Sequence, residues 1–339
     1  MAVYPVILII GNKKQPRKQD KKLMKNALTI PAQDTQLAQL PALEELLERW
    51  AQALDLQVQA QELSLNTSNS YQRGARKYFA HCHGAELDPA EPDSVRAWKA
   101  ALLQDYKPAS VNSWLAGLKS FYSWLSETGK LPYNPAQLIK GAKRTGTSKR
   151  HARESLTDSE MRRLLALPDE SAQGVRDAAI LALMAYTALR QVEIHRADLA
   201  DLQTKSGRLV LMVQGKGRQE KDEYIVILGE TESALRDWLS IRGKAEGALF
   251  VSLSNRSSGE RLSLRAIRAL VKEYYSLAGI VGNKTTHSLR HTAITKAISA
   301  GVPIQKVKSL ARHSSIETTM IYFHELDRLE DPAEQYISY

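Results

Sequence analysis

The sequence predicts a mainly α-helical protein with a small antiparallel β-sheet, an α+β fold divided into two domains. Apolar residues recur at helical spacing along most of the chain, and only "GRLVLMV" and "EYIVIL" have the composition of strands. Between the helical segments lies "KGAKRTGTSKRHAR", Lys140–Arg153, with six Lys/Arg, no acidic residue and no apolar periodicity. Such a stretch is typical of an interdomain linker. A chain of 339 residues is long enough for two cores.

Residues 1–61 predict a basic arm followed by one helix. The run "KKQPRKQDKKLMK" has seven Lys/Arg against one acidic residue, Asp20. This pattern indicates a solvated segment that can also contact a phosphate backbone. In "PALEELLERWAQALDLQ" the apolar residues share one helical face, which predicts burial of Leu43, Leu46, Leu47, Trp50 and Leu54.

Residues 62–147 predict an all-α domain. Its clearest helix is "ASVNSWLAGLKSFYSWLSETG", whose apolar positions have helical spacing and which ends at Gly129. The opposite face carries Lys119 and small polar residues, which suits either simple solvent exposure or a DNA groove. The linker at residues 148–154 has enough positive charge to follow the phosphates of a duplex.

Residues 155–324 predict the second domain. Thr157 and Glu160 form a capping box that opens its first helix. "VRDAAILALMAYTALR" is apolar on nearly every side and predicts a buried central helix. The two strands form a hairpin across the polar turn "QGKGRQEKD". Four further helices follow, the last opened by a capping box of Ser314 and Glu317.

The charge balance points to a polyanionic partner. Lys and Arg number 47 against 37 Asp and Glu, a net charge of +10, which favours nucleic acid or an anionic membrane face. The single cysteine, Cys82, excludes an internal disulfide and suits a reducing compartment, so we expect a cytoplasmic protein. The apolar run at residues 2–10 is far shorter than the ~20 residues of a membrane-spanning helix.

Several charged side chains are candidates for chemistry. Arg190, in "YTALRQVEI", needs a partner beside so apolar a helix, and Glu193 three residues on would supply it. His287 and Arg290 share one face of a helix that Thr286 caps, a pair that suits an anionic oxygen and a mobile proton. Taken alone, Arg190 is better explained as a helix-terminal salt bridge and His287 as a packed histidine.

Metal binding is the competing interpretation at two places. His287 and His291 have the i, i+4 spacing of metal ligands, but no general-base Glu lies between them and no third ligand is evident. In "HCH", residues 81–83, adjacent ligands on a helix would point in different directions. We therefore predict no metal site and no cofactor.

The remaining candidates lie in the hairpin turn and the last helix. Lys216 stands between two glycines that would let the backbone approach a partner, and Lys221 in the same turn competes with it. His313 precedes Tyr322 by nine residues. The Tyr322 hydroxyl is either a packing handle or a nucleophile.

In order and spacing these motifs resemble the tyrosine recombinase (phage integrase-like) family. The resemblance covers residues 155–324 and rests on "HSLRHTAIT", "HSSIETTMIYFH", the arginine motif around Arg190 and the turn lysine. The preceding helices and basic linker resemble the family's core-binding domain. The resemblance implies a two-domain clamp on double-stranded DNA, acting as a homo-tetramer on two duplexes.

The resemblance also implies a role for each catalytic residue. Arg190 and Arg290 would clamp the non-bridging oxygens of the scissile phosphate, and His313 would donate a further hydrogen bond. His287 would assist removal of the proton from Tyr322, which would attack phosphorus. Lys216 would protonate the leaving 5′-oxygen, and the reaction would need neither metal nor ATP.

The sequence departs from the family's pattern near these residues. The family usually has glycine where Ala188 stands, a small residue at Val192, and "L-G-H-S" where this chain reads "L-A-R-H-S" with Arg312. These departures bear on packing near Arg190 and on the pose of His313.

Two other functions fit the same residues: a type IB-like topoisomerase, or a sequence-specific DNA-binding protein that does not cut. Residues 325–339 are expected either to dock on a neighbouring protomer or to fray. The expected DNA contacts outside the catalytic centre come from basic residues of the first domain and linker: Lys119, Lys140, Lys143, Arg144, Lys149, Arg150 and Arg153.

Overall fold

The computed structural model describes residues 43–143, 154–215 and 220–330, together with Gln335, with side chains given through Phe323 in the last helix. These residues form two compact units, 43–143 and 154–330. None of the described helices is both long and apolar enough to cross a membrane. The basic arm, most of the linker and the side chains of the C-terminal tail lie outside the described residues.

The first unit is all-α, as predicted. Its helices are α1 (Leu43–Gln59), α2 (Leu65–Gly84), α3 (Pro92–Asp105) and α4 (Pro108–Glu127). Helices α3 and α4 each begin at a proline, whose fixed φ suits the first helical position and whose missing N–H would have no partner there.

The apolar stripe predicted in α1 is buried, and it packs in the same core as the other three helices. Aromatic rings meet edge to face in this core, with Trp50 and Phe79 each 5.3 Å from the ring of Phe121. The hydroxyls of Tyr78 and Tyr122 both donate to the Pro89 carbonyl. Helix α1 therefore belongs to this unit's core, whereas the domain limits at residues 61 and 147 stay a prediction.

The polar face of α4 is covered by the chain that follows it. Asn112 pairs with the backbone of Ala142 in both directions, at 2.6 and 3.1 Å. Asn134 donates to Ser123, and Lys119 donates to a backbone carbonyl in the same returning segment. This face therefore stabilises the end of the unit, a use that the sequence pattern did not indicate.

The second unit holds the sheet and the remaining helices. Its elements are α5 (Asp158–Leu165), α6 (Ala172–Tyr186), α7 (Gln191–Arg196), β1 (Leu202–Lys205), β2 (Arg208–Val213), β3 (Glu223–Val226), α8 (Gly229–Arg242), α9 (Leu264–Leu277), α10 (Thr286–Ser299), α11 (Ile304–Ala311) and α12 (Ile316–Glu330).

The sheet is antiparallel with strand order β1-β2-β3, and the predicted hairpin is its β2–β3 pair. Strand β1 and helices α7 and α8 were not predicted. Strand β1, "LQTK", is mostly exposed and lacks the apolar alternation that marks a strand. In α8 only Thr231, Leu235 and Trp238 are buried, a stripe too sparse to stand out.

Three local predictions need correction. The buried helix α6 ends at Tyr186, so Arg190 is not at its end but immediately precedes α7. The cap of α10 is Thr285, whose hydroxyl accepts the His287 N–H, and not Thr286. At the start of α12 the Glu317 N–H is bound by Ser315, not Ser314, because the helix begins at Ile316. The capping box of Thr157 and Glu160 is confirmed.

Candidate active site

Arg190 is bound by Glu193, the partner that the sequence predicted. The Arg190 side chain donates to Glu193 Oε1 at 2.8 Å, and its backbone N–H donates to Glu193 Oε2 at 2.7 Å. Glu193 lies in the first turn of α7, and its carboxylate accepts the backbone N–H of Arg190, the N-cap residue of that helix. The Arg190 side chain keeps 18% of its surface exposed, whereas that of Glu193 keeps 1%. Part of the Arg190 side chain therefore remains accessible.

A second arginine shares the same carboxylate. Arg312 donates to Glu193 Oε2 at 2.9 Å and also to the carbonyls of Leu310 and Ala188. Its side chain is only 2% exposed. Burial alone would raise the pKa of the Glu193 carboxyl, but Arg312 and then Arg190 hold this pKa below its ordinary value. Glu193 is therefore ionised and balances part of the positive charge here.

Arg290, on α10, is fixed by two backbone carbonyls. It donates to Ala188 O at 2.5 Å and to Ala311 O. Burial, followed by the charges of Arg190 and Arg312, lowers the pKa of Arg290 to about 9, so the group stays protonated near neutral pH. Arg290 and Arg312 share the Ala188 carbonyl, and Arg312 and Arg190 share Glu193, so the three guanidinium groups lie close together. A cluster of fixed cations in a nearly dry site is suited to an anionic ligand.

Tyr322 lies beside this cluster, between two histidine rings. Its ring centroid is 6.2 Å from that of His313, nearly parallel, and 4.7 Å from that of His291, tilted by 52°. Only 7% of the residue is exposed, and an ionised Tyr322 would raise the pKa of Arg290. The His313 imidazole is oriented by the buried Thr319 hydroxyl, 2.9 Å from Nδ1. The structure thus brings Arg190, Arg290, His313 and Tyr322 together.

His287 lies at the exposed first turn of α10, one turn before Arg290 on the same helix. It borders an open groove between α9 and α10, also lined by Arg268, Lys272 and Lys284. The amino end of α10 carries partial positive charge as well. Lys284 is ion-paired with Glu160 at 2.6 Å, so Arg268, Lys272 and the helix terminus contribute most of the positive charge of this groove.

Of the two lysines in the hairpin turn, Lys221 is held in an ion-pair network. Its Nζ donates to Asp198 and Asp201 at 2.8 and 2.5 Å, and to the Arg196 carbonyl. Partial burial would lower the pKa of Lys221, but its hydrogen bonds to Asp198 and Asp201 raise this pKa. A higher pKa makes Lys221 a poorer proton donor. Lys216 lies outside the described residues.

Within the described ranges, no three His, Cys, Asp or Glu side chains are grouped so that they could hold a metal ion. His287 and His291 share α10, but the His291 ring packs against Tyr322. In "HCH", Cys82 is buried in the aromatic core of the first unit, where burial raises the pKa of its thiol to about 11.

The predicted DNA contacts fall partly within the described residues. Lys140 and Lys143 are exposed at the end of the first unit, and Lys119 is half-buried on α4. Arg144, Lys149, Arg150 and Arg153 lie outside the described residues.

Comparison with known proteins identifies this arrangement. The sequence profile of the phage integrase family matches residues 154–328, and that of the phage integrase N-terminal SAM-like domain matches residues 47–129. The chain belongs to the phage integrase family. A tyrosine recombinase of Synechococcus elongatus is 34% identical over 282 residues, which cover 76% of this chain and 84% of that protein. The tyrosine recombinase XerC of Thermodesulfovibrio yellowstonii is 30% identical, covering 77% and 86%.

Solved structures of a site-specific recombinase and of an integrase share the fold. The XerH site-specific recombinase, in a post-cleavage complex on palindromic difH substrate, matches with a TM-score of 0.64 and 17% identity, covering 93% of both chains. A lambda integrase fragment, a dimer bound to a core site, matches with a TM-score of 0.60 and 17% identity, covering 81% of this chain and 96% of that one. The predictions of the family, the fold class and a DNA-cleaving and -rejoining recombinase are confirmed.

Sequence reasoning missed two neighbours of the site in this phage integrase family member. His291 was weighed only as a metal ligand, although i, i+4 spacing from His287 also puts it one turn nearer the body of α10. Arg312 was noted only as a departure from the family's pattern. The available signal was that an arginine replaces the glycine that usually precedes the site histidine. The sequence could not show that this arginine binds Glu193, because Glu193 is 119 residues away.

Proposed function

We propose that this recombinase cleaves DNA by attack of the Tyr322 hydroxyl on one backbone phosphate, forming a 3′-phosphotyrosine link. The P–O bond to the 5′-oxygen breaks, and that oxygen leaves as a free hydroxyl. The observation that carries the proposal is the convergence of Tyr322, His313 and two fixed guanidinium groups in one largely buried cluster.

In this proposal Arg190 and Arg290 bind the non-bridging oxygens of the phosphate. Phosphoryl transfer spreads negative charge over these oxygens, and preorganised cations stabilise it without further rearrangement. His313 donates a further hydrogen bond, and its hydrogen bond to Thr319 supports this orientation. Glu193 keeps Arg190 in position.

Proton transfer occurs at both ends of the reaction. Tyrosine has an ordinary pKa near 10, so its hydroxyl needs a proton acceptor, for which we propose His287. The proton for the leaving 5′-oxygen comes from Lys216. The ion pairs of Lys221 favour Lys216 over Lys221 in this role.

The reaction proposed here needs no metal and no ATP. Two arginines that stay protonated near neutral pH supply the charge that metal ions supply in other phosphoryl transfers. The phosphotyrosine conserves the energy of the broken strand, so the 5′-hydroxyl can attack it and restore the backbone.

We further propose how the rest of the chain is used. The first unit and the basic linker hold the duplex through Lys119, Lys140 and Lys143 and the linker arginines. Four protomers assemble on two recombination sites, with residues 325–339 docking between protomers, and the protein works in the cytoplasm. The DNA-bound complexes named for XerH and lambda integrase support a DNA partner.

The decisive experiment traps the covalent intermediate. Wild-type protein is incubated with a nicked suicide duplex carrying its recombination site, and SDS-resistant protein–DNA adducts are counted. Wild type should form the adduct and Tyr322→Phe should not, because the phenylalanine has no oxygen to attack phosphorus.

Two controls complete the experiment. Adduct formation in EDTA should equal that without chelator, since no metal takes part in the proposed reaction. An adduct that persists in Tyr322→Phe would assign the nucleophile to another residue, with Tyr336 and Tyr339 next to test.

A further inference from the structure

Arg312 occupies an unusual position for a charged residue. It ends α11 with φ 51° and ψ 49°, the left-handed conformation that disfavours residues with a Cβ atom. Its side chain then turns into the protein and is almost fully buried. A buried guanidinium in a disfavoured backbone conformation requires compensating contacts. One is the Leu310 carbonyl in the same turn, and the others are Glu193 and the Ala188 carbonyl in the site.

The first of these contacts limits how Glu193 binds Arg190. Glu193 Oε2 accepts Arg312 Nη2 at 2.9 Å and the Arg190 backbone N–H at 2.7 Å. Oε1 accepts the Arg190 guanidinium at 2.8 Å and Arg312 Nε at 3.5 Å, so Arg312 occupies part of both carboxylate oxygens. Without Arg312, each carboxylate oxygen would lose one donor and could accept a further donor of the Arg190 guanidinium. A two-pronged ion pair of that kind would hold more of the Arg190 donors away from a phosphate.

The second set of contacts reaches Arg290. The Ala188 carbonyl accepts from Arg290 at 2.5 Å and from Arg312 at 3.2 Å. The other Arg290 donor binds the Ala311 carbonyl, in the peptide adjoining Arg312. The backbone carbonyl of Arg312 itself lies 3.4 Å from Arg190 Nη2. Both phosphate-binding arginines thus depend on the turn that Arg312 makes.

We propose that Arg312 is a positioning residue that sets both phosphate-binding arginines, by sharing Glu193 with Arg190 and the Ala188 carbonyl with Arg290. It also adds a positive charge close to the reacting phosphate without contacting it. This inference rests on the proposed roles of Arg190 and Arg290. If Arg312 served only to stabilise the fold, its loss would lower stability and leave the chemistry of the folded protein intact.

The test separates DNA binding from cleavage. Single-turnover adduct formation on the suicide duplex is measured at saturating protein, and noncovalent affinity is measured by fluorescence anisotropy in a Tyr322→Phe background. Arg312→Met should cleave at least roughly tenfold more slowly, the effect of one lost charge-assisted contact, with affinity changed less than about threefold.

The decisive variant is the double substitution Arg312→Met/Glu193→Gln. A neutral glutamine in place of Glu193 cannot form the two-pronged ion pair with Arg190, and the local charge returns to that of the wild type. Cleavage should therefore recover severalfold relative to Arg312→Met alone. Arg312→Lys keeps a positive charge beside Glu193 but has fewer hydrogen-bond donors, so its cleavage rate should lie between those of the wild type and Arg312→Met. This variant keeps the test valid if Arg312→Met does not fold.

Arg176→Met is the matched control, because Arg176 is a buried arginine paired with Asp177 in α6, outside the site. It should lose stability and cleave normally per folded molecule. The inference would be overturned if Arg312→Met cleaved at the wild-type rate, or if it lost DNA affinity in parallel with cleavage. It would also be overturned if the double variant cleaved no faster than Arg312→Met alone. Absence of an adduct with the wild type would instead refute the proposed function.

Discussion

Ala188 and Arg312 both have left-handed backbone, with φ of 52° and 51°. At both positions the family usually has glycine. Glycine adopts this conformation freely, whereas for a residue with a Cβ atom it costs roughly 1–2 kcal/mol. The departures keep the backbone geometry, and the Ala188 carbonyl remains the shared acceptor of two arginines. The left-handed turns are thus part of how the cations are held.

At the same scale, removal of the Glu193 carboxylate should be costly. Glu193→Ala leaves the buried Arg312 guanidinium without its counterion, a change that typically costs about 3–5 kcal/mol. Hydrogen exchange of peptides from α7 and α11 should report a loss of this size in the free energy of opening.

Glu232→Ala is the control for that measurement. Glu232 pairs with Arg236 one turn away on the surface of α8, and exposed pairs of this kind contribute less than about 0.5 kcal/mol. If Glu193→Ala were as mild as Glu232→Ala, the Arg312 charge would be solvated and its burial would have no electrostatic consequence.

At the scale of elements, helices α2 and α4 pack with their backbones in contact. A Cβ atom at Gly74 would lie 2.7 Å from Trp114 Cα, and one at Gly117 would lie 2.5 Å from Tyr71 Cα. These distances are far below normal contact, and the atoms they meet are backbone, which cannot rotate away. The crossing of the two helices therefore requires glycine on both sides.

Gly74→Ala and Gly117→Ala should each destabilise the first unit by about 2 kcal/mol or more, because the helices must separate. Urea unfolding followed by tryptophan fluorescence suits this measurement, since four of the five tryptophans lie in this unit. Gly84→Ala is the control: a Cβ there meets nothing within 4 Å, and alanine in the last turn of α2 should leave stability unchanged or raise it by up to about 1 kcal/mol. Equal effects of all three would contradict close backbone packing.

For the whole molecule, the dominant property is the net charge of +10. Each phosphate contact releases counterions, so the logarithm of the DNA affinity should fall linearly with the logarithm of the salt concentration. If Lys140 and Lys143 each neutralise one phosphate, the double variant Lys140→Gln/Lys143→Gln should reduce the slope by about 2.

Anisotropy titrations of Tyr322→Phe protein between low and physiological salt would measure this slope. Lys244→Gln, an exposed lysine of the second unit outside the proposed interface, removes one charge and should leave the slope nearly unchanged. An unchanged slope in the double lysine variant would remove both residues from the DNA interface.

Local patterns were sufficient for much of this protein. Helical spacing identified the helices that bury a wide apolar stripe, the alternation of strand and turn identified the hairpin, and the order of the polar motifs identified the family. Elements with sparse burial, β1 and α8, were missed because their apolar residues are too few to produce a period. The helix caps were misplaced by one residue, since Thr and Ser occur in pairs at both sites.

The sequence by itself determined the family and the mainly helical fold, and it supplied the residues proposed for phosphoryl transfer, because these depend on residue type and on spacing along the chain. Tertiary structure alone decided that Arg312 is bound to Glu193, that His291 packs on Tyr322, and that Lys221 is ion-paired with Asp198 and Asp201. These partners are separated by 20 to 119 residues along the chain. No local pattern encodes such contacts, since they form only when folding brings distant backbone segments together.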